Sequence, residues 1–248
     1  MLSPILTTHD LICGYEINNP ITPPLNISIN NNDIVAILGI NGRGKSTLLK
    51  TLMKIVKPLS GDIQHSYSCA FVPQNFSLNI DYQVWEVVVM GANKQWRLFG
   101  KPNKKTKQLT YKVLTKLGLE QYINQPFSLL SGGQKQLVLI ARALITQCKI
   151  LLLDEPTTAL DLHNQQKILN LLSSLPIERD LTIIFTTHDP AHAMYAANQV
   201  LLLQDNSYQY GKTDQLLTEK NLSRLYRIPM KKITYKNSQT IIPIYYGK

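Results

Sequence analysis

Nine consecutive residues, Gly39-Ile40-Asn41-Gly42-Arg43-Gly44-Lys45-Ser46-Thr47, carry chemistry by their types and spacing. They fit G-x-x-x-x-G-K-S/T, follow the apolar run Ile34 to Leu38, and open a segment whose apolar residues recur at helical spacing. That context predicts a phosphate-binding loop between a strand buried on both faces and a helix. The glycines let the backbone curl until successive N–H groups face an anion, and the helix N-terminus adds positive potential. Lys45 brings a full charge to the phosphates, and the Ser46 hydroxyl is placed to ligate Mg²⁺.

A second apolar run, Ile150 to Leu153, delivers two carboxylates, Asp154 and Glu155. In open α/β sheets ligands bind beyond the carboxyl ends of the strands. Asp154 is expected to hold the Mg²⁺ shell and Glu155 to orient and polarise an attacking water, because phosphoryl transfer rests on positioning and charge stabilisation. A third element, Leu130-Ser131-Gly132-Gly133-Gln134, places a serine and two glycines at a predicted helix start, where free N–H groups make an anion site.

With that third element the chain resembles the ABC ATPase family, whose signature motif is LSGGQ. The likeness runs from Leu6 to about Met230. It implies that Ser131, Gly132, Gly133 and Gln134 grip the γ-phosphate of ATP held by a second copy, so that two chains sandwich two nucleotides head to tail. It also implies that Tyr15 stacks on adenine and that Gln74, in Val72-Pro73-Gln74, senses the γ-phosphate, joins Ser46 and Asp154 at the metal and faces a permease. Asp161, in Ala159-Leu160-Asp161, would lie at the dimer interface, and His188 would be the switch histidine beside the γ-phosphate. Ile40 and Arg43 stand where the family usually has Pro and a small residue; the backbone does the binding there, so activity is expected to survive.

The resemblance extends to ATPases of type II importers, which move ferric siderophores, haem, cobalamin and related metal complexes. It is carried by Phe71-Val72-Pro73-Gln74, by Val84 to Gly91 and by Gln215 to Met230. The expected function is to energise uptake of such a metal complex, with molybdate or tungstate uptake as the alternative. Phe185-Thr186-Thr187-His188 and Leu222 to Met230 look closer to the molybdate/tungstate importer, whereas Met90 to Lys94 lacks the Gly-Arg pair common in iron-chelate relatives. The implied partners are a second copy of the ATPase, an integral membrane permease dimer and, indirectly, a periplasmic or surface solute-binding protein. The implied place is the cytoplasmic face of the inner membrane. Val84, Trp85 and Val87 to Val89 would form the groove for a permease helix, although core packing explains each of them equally well.

The elements that must position these residues alternate as strands and helices, which argues for a mainly parallel sheet covered on both faces. Helices are expected over about Lys45 to Val56, Gln134 to Ile145, Asn164 to Leu175 and Ala191 to Ala197, and strands at Ile5 to Cys13, Asn26 to Ile29, Cys69 to Val72, Leu181 to Phe185 and Val200 to Leu203. From Val84 to Leu119 the pattern is helical, interrupted by Gly91, Gly100 and Pro102. The resemblance implies a P-loop NTPase α/β fold with an N-terminal antiparallel β subdomain. It further implies one domain over 1–230, with a helical subdomain inserted at about 75–145, and a tail over 231–248.

Composition bounds the alternatives. No apolar run approaches the roughly 18 to 20 residues that a membrane-spanning helix needs, and Met1 to Pro20 contains no Lys or Arg ahead of an apolar stretch, so the cytosol is the expected compartment. Cys13, Cys69 and Cys148 form no CxxC pair, and the five histidines show no metal-ligand spacing. The net charge of +10, partly in Lys101, Lys104, Lys105, Lys107, Lys231 and Lys232, suits a solvated surface or an anionic membrane face. It is the single feature favouring an ABC ATPase that acts on DNA or ribosomes, so no nucleic-acid partner is expected. A nucleotide-gated module that does not hydrolyse is the remaining rival, and Glu155 argues against it.

Overall fold

The computed structural model describes residues 4–65, 67–76, 81–95, 102–236 and 238–245. Strands β1 (Leu6–Ile12), β2 (Ser28–Ile29), β3 (Ile34–Leu38), β4 (Ser60–Gln64) and β5 (Cys69–Val72) occupy the first part, with helix α1 (Lys45–Leu52) between β3 and β4. Helices α2 (Val84–Val89), α3 (Lys104–Lys116) and α4 (Gly132–Leu144) follow β5 before β6 (Ile150–Leu153) returns the chain to the sheet. Then come α5 (Leu162–Arg179), β7 (Thr182–Thr187), α6 (Pro190–Ala196), β8 (Gln199–Leu203), β9 (Tyr208–Lys212), α7 (Thr213–Leu216), α8 (Glu219–Tyr226), and a hairpin of β10 (Met230–Tyr235) and β11 (Ser238–Pro243).

The central sheet has the order β5-β6-β7-β3-β8-β9. Its first five strands are parallel and β9 runs antiparallel at the β8 edge. Strands β3, β6 and β7 are buried at every position, the state their continuous apolar or small residues predict. Alternation of side chains across the pleat divides each strand between two cores. Val35, Ile37, Ile150, Leu152 and Ile184 face Leu48, Leu49 and Leu52 of α1 and the small antiparallel sheet β2-β1-β4. Ala36, Leu38, Leu151, Leu153 and Phe185 face Val138 of α4, Leu172 of α5 and Ala193 of α6. Each fully buried Leu or Ile contributes on the order of 1.5–3 kcal/mol, so the strand ends that carry the polar residues are held rigidly from both sides.

Several boundaries differ from those expected. Helix α1 stops at Leu52 rather than near Val56 because Lys54 turns left-handed (φ 60°) and the Ile55 N–H bonds back to Lys50 O at 2.9 Å. This is the reversal that commonly ends a helix at glycine, here made by lysine, and it leaves Ile55 exposed rather than in the apolar stripe. Helix α5 runs through Pro176 to Arg179 and ends at Asp180 in the left-handed region, one turn beyond the expected Leu175. The helical stretch from Val84 divides into α2, a 3₁₀ turn over Met90–Gln95, and α3. Gly100 and Lys101 lie outside the described residues.

Val84, Val87 and Val88 are buried in the larger core and Val89 is buried as well, so packing, not a permease groove, accounts for these four. Trp85 alone of that set is half-buried, its indole N–H bonded to Gln83 Oε1 at 2.7 Å and its ring under Lys107. Beyond residue 230 the chain forms the β10–β11 hairpin, which anchors Met230 and Ile241 in the larger core.

Candidate functional site

Strand β3 ends at Leu38, and the loop that follows curls through Gly42 (φ 81°) and Gly44 (φ 75°) into α1. Gly44 is required twice over: its backbone is left-handed, and a Cβ there would meet Ile21 Cγ2 at 1.8 Å. It is also the residue that caps α1, with no side chain bonded to the helix N-terminus, so the first N–H groups point into the loop. Lys45 is only 5% exposed; its ammonium donates to Gly39 O at 2.9 Å and Ile40 O at 3.4 Å. Asn41 is exposed at the loop surface and Thr47 is buried at the start of α1.

Strand β6, hydrogen-bonded to β7, brings Asp154 and Glu155 to this loop. Ser46 Oγ donates to Asp154 Oδ1 at 2.9 Å, and Thr186 Oγ1 donates to the same oxygen at 2.7 Å. Thr186 in turn accepts from the Glu155 backbone N–H at 2.8 Å, which fixes the turn after β6. Glu155 sits there at φ 45°, an unusual conformation for a non-glycine residue and one that concentrates at functional sites. Its carboxylate is the hub of the cluster. Oε1 lies 3.5 Å from Lys45 Nζ; Oε2 accepts from Thr158 Oγ1 at 2.7 Å and Gln74 Nε2 at 3.3 Å, and is 3.3 Å from His188 Nδ1. Burial opposes ionisation of Glu155, but the Thr158 hydrogen bond and the charges of Lys45 and His188 outweigh it, so its pKa is lowered below the ordinary carboxylate value.

Six residues singled out in the sequence, Lys45, Ser46, Gln74, Asp154, Glu155 and His188, thus meet in one place. Tyr15 is 65% exposed beside them, its hydroxyl 3.5 Å from Thr47 Oγ1. The signature residues form a second cluster. Ser131 caps α4 in a reciprocal box with Gln134: the Ser131 N–H donates to Gln134 Oε1 at 2.8 Å and Ser131 Oγ accepts from the Gln134 N–H at 3.4 Å. Gly133 lies against α5 so closely that a Cβ would meet Asn164 Cγ at 2.5 Å, and Gly132 approaches Leu160. Asp161 caps α5 by accepting from the Asn164 N–H at 2.8 Å. Among the described residues no hydrogen bond or ion pair joins this second cluster to the Lys45–Glu155 cluster of the same chain.

Supporting residues not singled out in the sequence include Thr158, which donates to Glu155, together with Thr186, His192 and Tyr226. Thr186 could have been noticed, because it is a polar residue at the carboxyl end of a buried strand beside β6. His192 lies between Thr157 Oγ1 at 3.1 Å and Asp189 Oδ2 at 3.5 Å; burial lowers its pKa, which favours the neutral ring. Tyr226 donates to the backbone oxygen of His188 at 2.8 Å across 38 residues, and no local pattern announces that contact.

The donor set fits a nucleoside triphosphate and a hard cation. It has a backbone N–H cradle, a buried ammonium, and a hydroxyl and carboxylate 2.9 Å apart as oxygen ligands. A parallel sheet with this loop beyond β3 and paired carboxylates beyond β6 defines a P-loop nucleotide-binding ATPase. Residues 23–158 match the ABC transporter family, and the chain belongs to it. It is 41% identical to the molybdate import ATP-binding protein MolC of Haemophilus influenzae, over 97% of this chain and 96% of the relative. It is 34% identical to the iron(3+)-hydroxamate import ATP-binding protein FhuC of Bacillus subtilis, over 92% and 90% respectively. Among solved structures, a metal-chelate type ABC transporter in an inward-facing conformation superposes with a TM-score of 0.92 at 40% identity, covering 98% of each chain. A dimeric ATP-binding cassette in a post-hydrolysis state with ADP and phosphate superposes at 0.73 and 26% identity, covering 84% of this chain and 98% of that one. The chain is therefore an ATP-binding, ATP-hydrolysing subunit of an ABC transporter, a class whose ATPases work as dimers with membrane permease components. No helix among the described residues is long and apolar enough to cross a membrane.

Proposed function

We propose that two copies of this chain hydrolyse ATP at composite sites and drive import of a molybdenum oxyanion through a separate permease. The observation that carries the catalytic part is the Glu155 carboxylate, held ionised among Lys45, Thr158, Gln74 and His188. Lys45 and the N–H groups of Asn41 to Thr47 would bind and orient the phosphates, and Tyr15 would stack on the base. Glu155 would accept the proton of the attacking water, His188 would hold the γ-phosphate end, and Gln74 would link that end to the permease. Ser46, Asp154 and Gln74 would hold Mg²⁺, which when bound neutralises charge on the phosphate oxygens.

The second cluster supports a dimer. Ser131, Gly132, Gly133 and Gln134 present a helix tip, braced by Asp161 and Asn164, that this chain's own cradle does not use. Such a tip suits the phosphates held by a partner copy. The proposed cargo follows the relatives: the molybdate importer's ATPase is 41% identical over 97% of this chain, against 34% over 92% for an iron-hydroxamate importer's. Those iron relatives keep a ferric complex as the second reading. The proposed place is the cytoplasmic face of the inner membrane, bound to the permease, with a solute-binding protein delivering cargo on the opposite side.

The test is Glu155→Gln. Phosphate release should fall by at least about 100-fold while ATP converts the variant to a dimer in light scattering. Adding Ser131→Arg should abolish the dimer but leave ATP binding to the single chain. Normal turnover by Glu155→Gln would overturn the base assignment. For cargo, uptake of labelled molybdate should depend on Lys45 in the assembled transporter, and dependence of ferric-chelate uptake alone would favour the second reading.

A further inference from the structure

Beyond the carboxyl ends of β3 and β8, on the side of the phosphate loop away from β6, lies a cavity of about 520 Å³. Its lining includes Ile40 and Arg43 of the loop, Gln204 and Asp205 just past β8, and Arg224 and Arg227 at the end of α8. Three guanidiniums thus face one carboxylate. Asp205 is shared, pairing with both Arg43 and Arg227, while Arg224 has no ion-pair partner among the described residues. The side-chain amide of Gln204 has a buried nitrogen without a hydrogen-bond partner among the described residues, and its Oε1 accepts from Ser207 Oγ at 3.0 Å. Gln204 thus adds a polar amide to the lining of a crevice with excess positive charge.

We infer that this cavity binds a small tetrahedral oxyanion of the phosphate or molybdate class, on Arg224, Arg227 and the Gln204 amide. The ligand chemistry follows from the lining: guanidinium forks match oxyanion edges, and a doubly charged anion meets the excess cationic charge left after Asp205 is counted. The same site reaches the phosphate loop. An anion on Arg227 competes with Asp205 for that side chain and so alters how Asp205 holds Arg43, the loop residue that stands where the family usually has a small one. Binding at the cavity and at the nucleotide cradle is thereby coupled, and the coupling is reciprocal. Inorganic phosphate would come from the adjacent hydrolysis, molybdate from the proposed cargo.

The experiment is calorimetric titration of the full chain, its nucleotide cradle filled with ADP, with sodium phosphate and separately with sodium molybdate. One anion should bind per chain. Arg224→Gln should weaken it about tenfold, the worth of one charged hydrogen bond. Asp205→Asn should tighten it several-fold by freeing two guanidiniums, a gain that misfolding cannot mimic. Tighter phosphate binding identifies the product as ligand, and tighter molybdate binding identifies the cargo. Absence of binding by either anion overturns the proposal, as does equal affinity in Arg224→Gln and Asp205→Asn.

Discussion

Thr186 binds no phosphate in the proposed mechanism, yet its one hydroxyl touches both carboxylate residues of the site. Its hydroxyl gives its proton to Asp154 Oδ1 and takes one from the Glu155 N–H, so one oxygen fixes both carboxylates. Thr186→Val keeps the shape and removes both bonds, leaving a part-buried N–H unmet. The expected cost is about 1–3 kcal/mol in denaturant unfolding, together with a fall in kcat of about tenfold at nearly unchanged KM for ATP. A KM that rises while kcat holds would place Thr186 in binding instead. Glu155 makes a second prediction through pH. Its folded pKa is lowered, so between that value and the ordinary carboxylate value the unfolded chain binds the extra proton. Its contribution to stability is therefore full above the ordinary carboxylate range and is lost as pH falls through the folded value. In acid titration of the nucleotide-free chain, Glu155→Gln should remove this part of the pH dependence and leave the rest of the curve in place.

At the scale of elements, the contact of α4 with α5 decides where the signature tip stands. Gly133→Ala would drive a methyl into Asn164, whose Cγ, Oδ1 and Cβ all lie within 2.9 Å of the added carbon. The expected result is loss of ATP-driven dimerisation with single-chain ATP binding intact. Asn164→Gly in the same chain removes all three atoms and should restore much of the dimer. If Gly133→Ala dimerises normally in light scattering, the tip is not held by this contact. The pair also shows where sequence reading stops. Ser131 to Gln134 could be read as a helix start because capping chemistry is local, and Lys45, Asp154 and Glu155 could be read because apolar runs fix their strands. The need for glycine at 133 could not, since it depends on a residue 31 positions away in another helix. Likewise β4 and β9 went unread because most of their residues are polar or half-exposed and lack a sharp alternation. The valines of α2 were open to two readings until the fold showed what covers them.

At the scale of the whole molecule, the question is whether the last strands belong to the motor. Read along the sequence, residues 231–248 have little beyond Lys231 and Lys232 to distinguish them, and a tail is the natural reading. In the fold, β10 and β11 pair in full register from Met230↔Pro243 to Tyr235↔Ser238, and Ile241 is only 3% exposed, in the core that also holds Leu153 and Phe185. Helix α8 lies between that hairpin and the nucleotide cluster: its Ser223 Oγ accepts from the Met230 N–H at 2.9 Å, and Tyr226 at its end holds the His188 carbonyl. If the hairpin is part of the same cooperative unit, Ile241→Ala should cost about 2–5 kcal/mol, as large-to-small core changes do. For a chain of this size that lowers Tm by roughly 5–15 °C, with one calorimetric transition retained. Because α8 transmits the change, the ATPase rate should also fall at temperatures where the chain is still folded. An unchanged Tm, or a separate low-temperature transition with full ATPase activity, would instead make the hairpin an appendage that melts on its own.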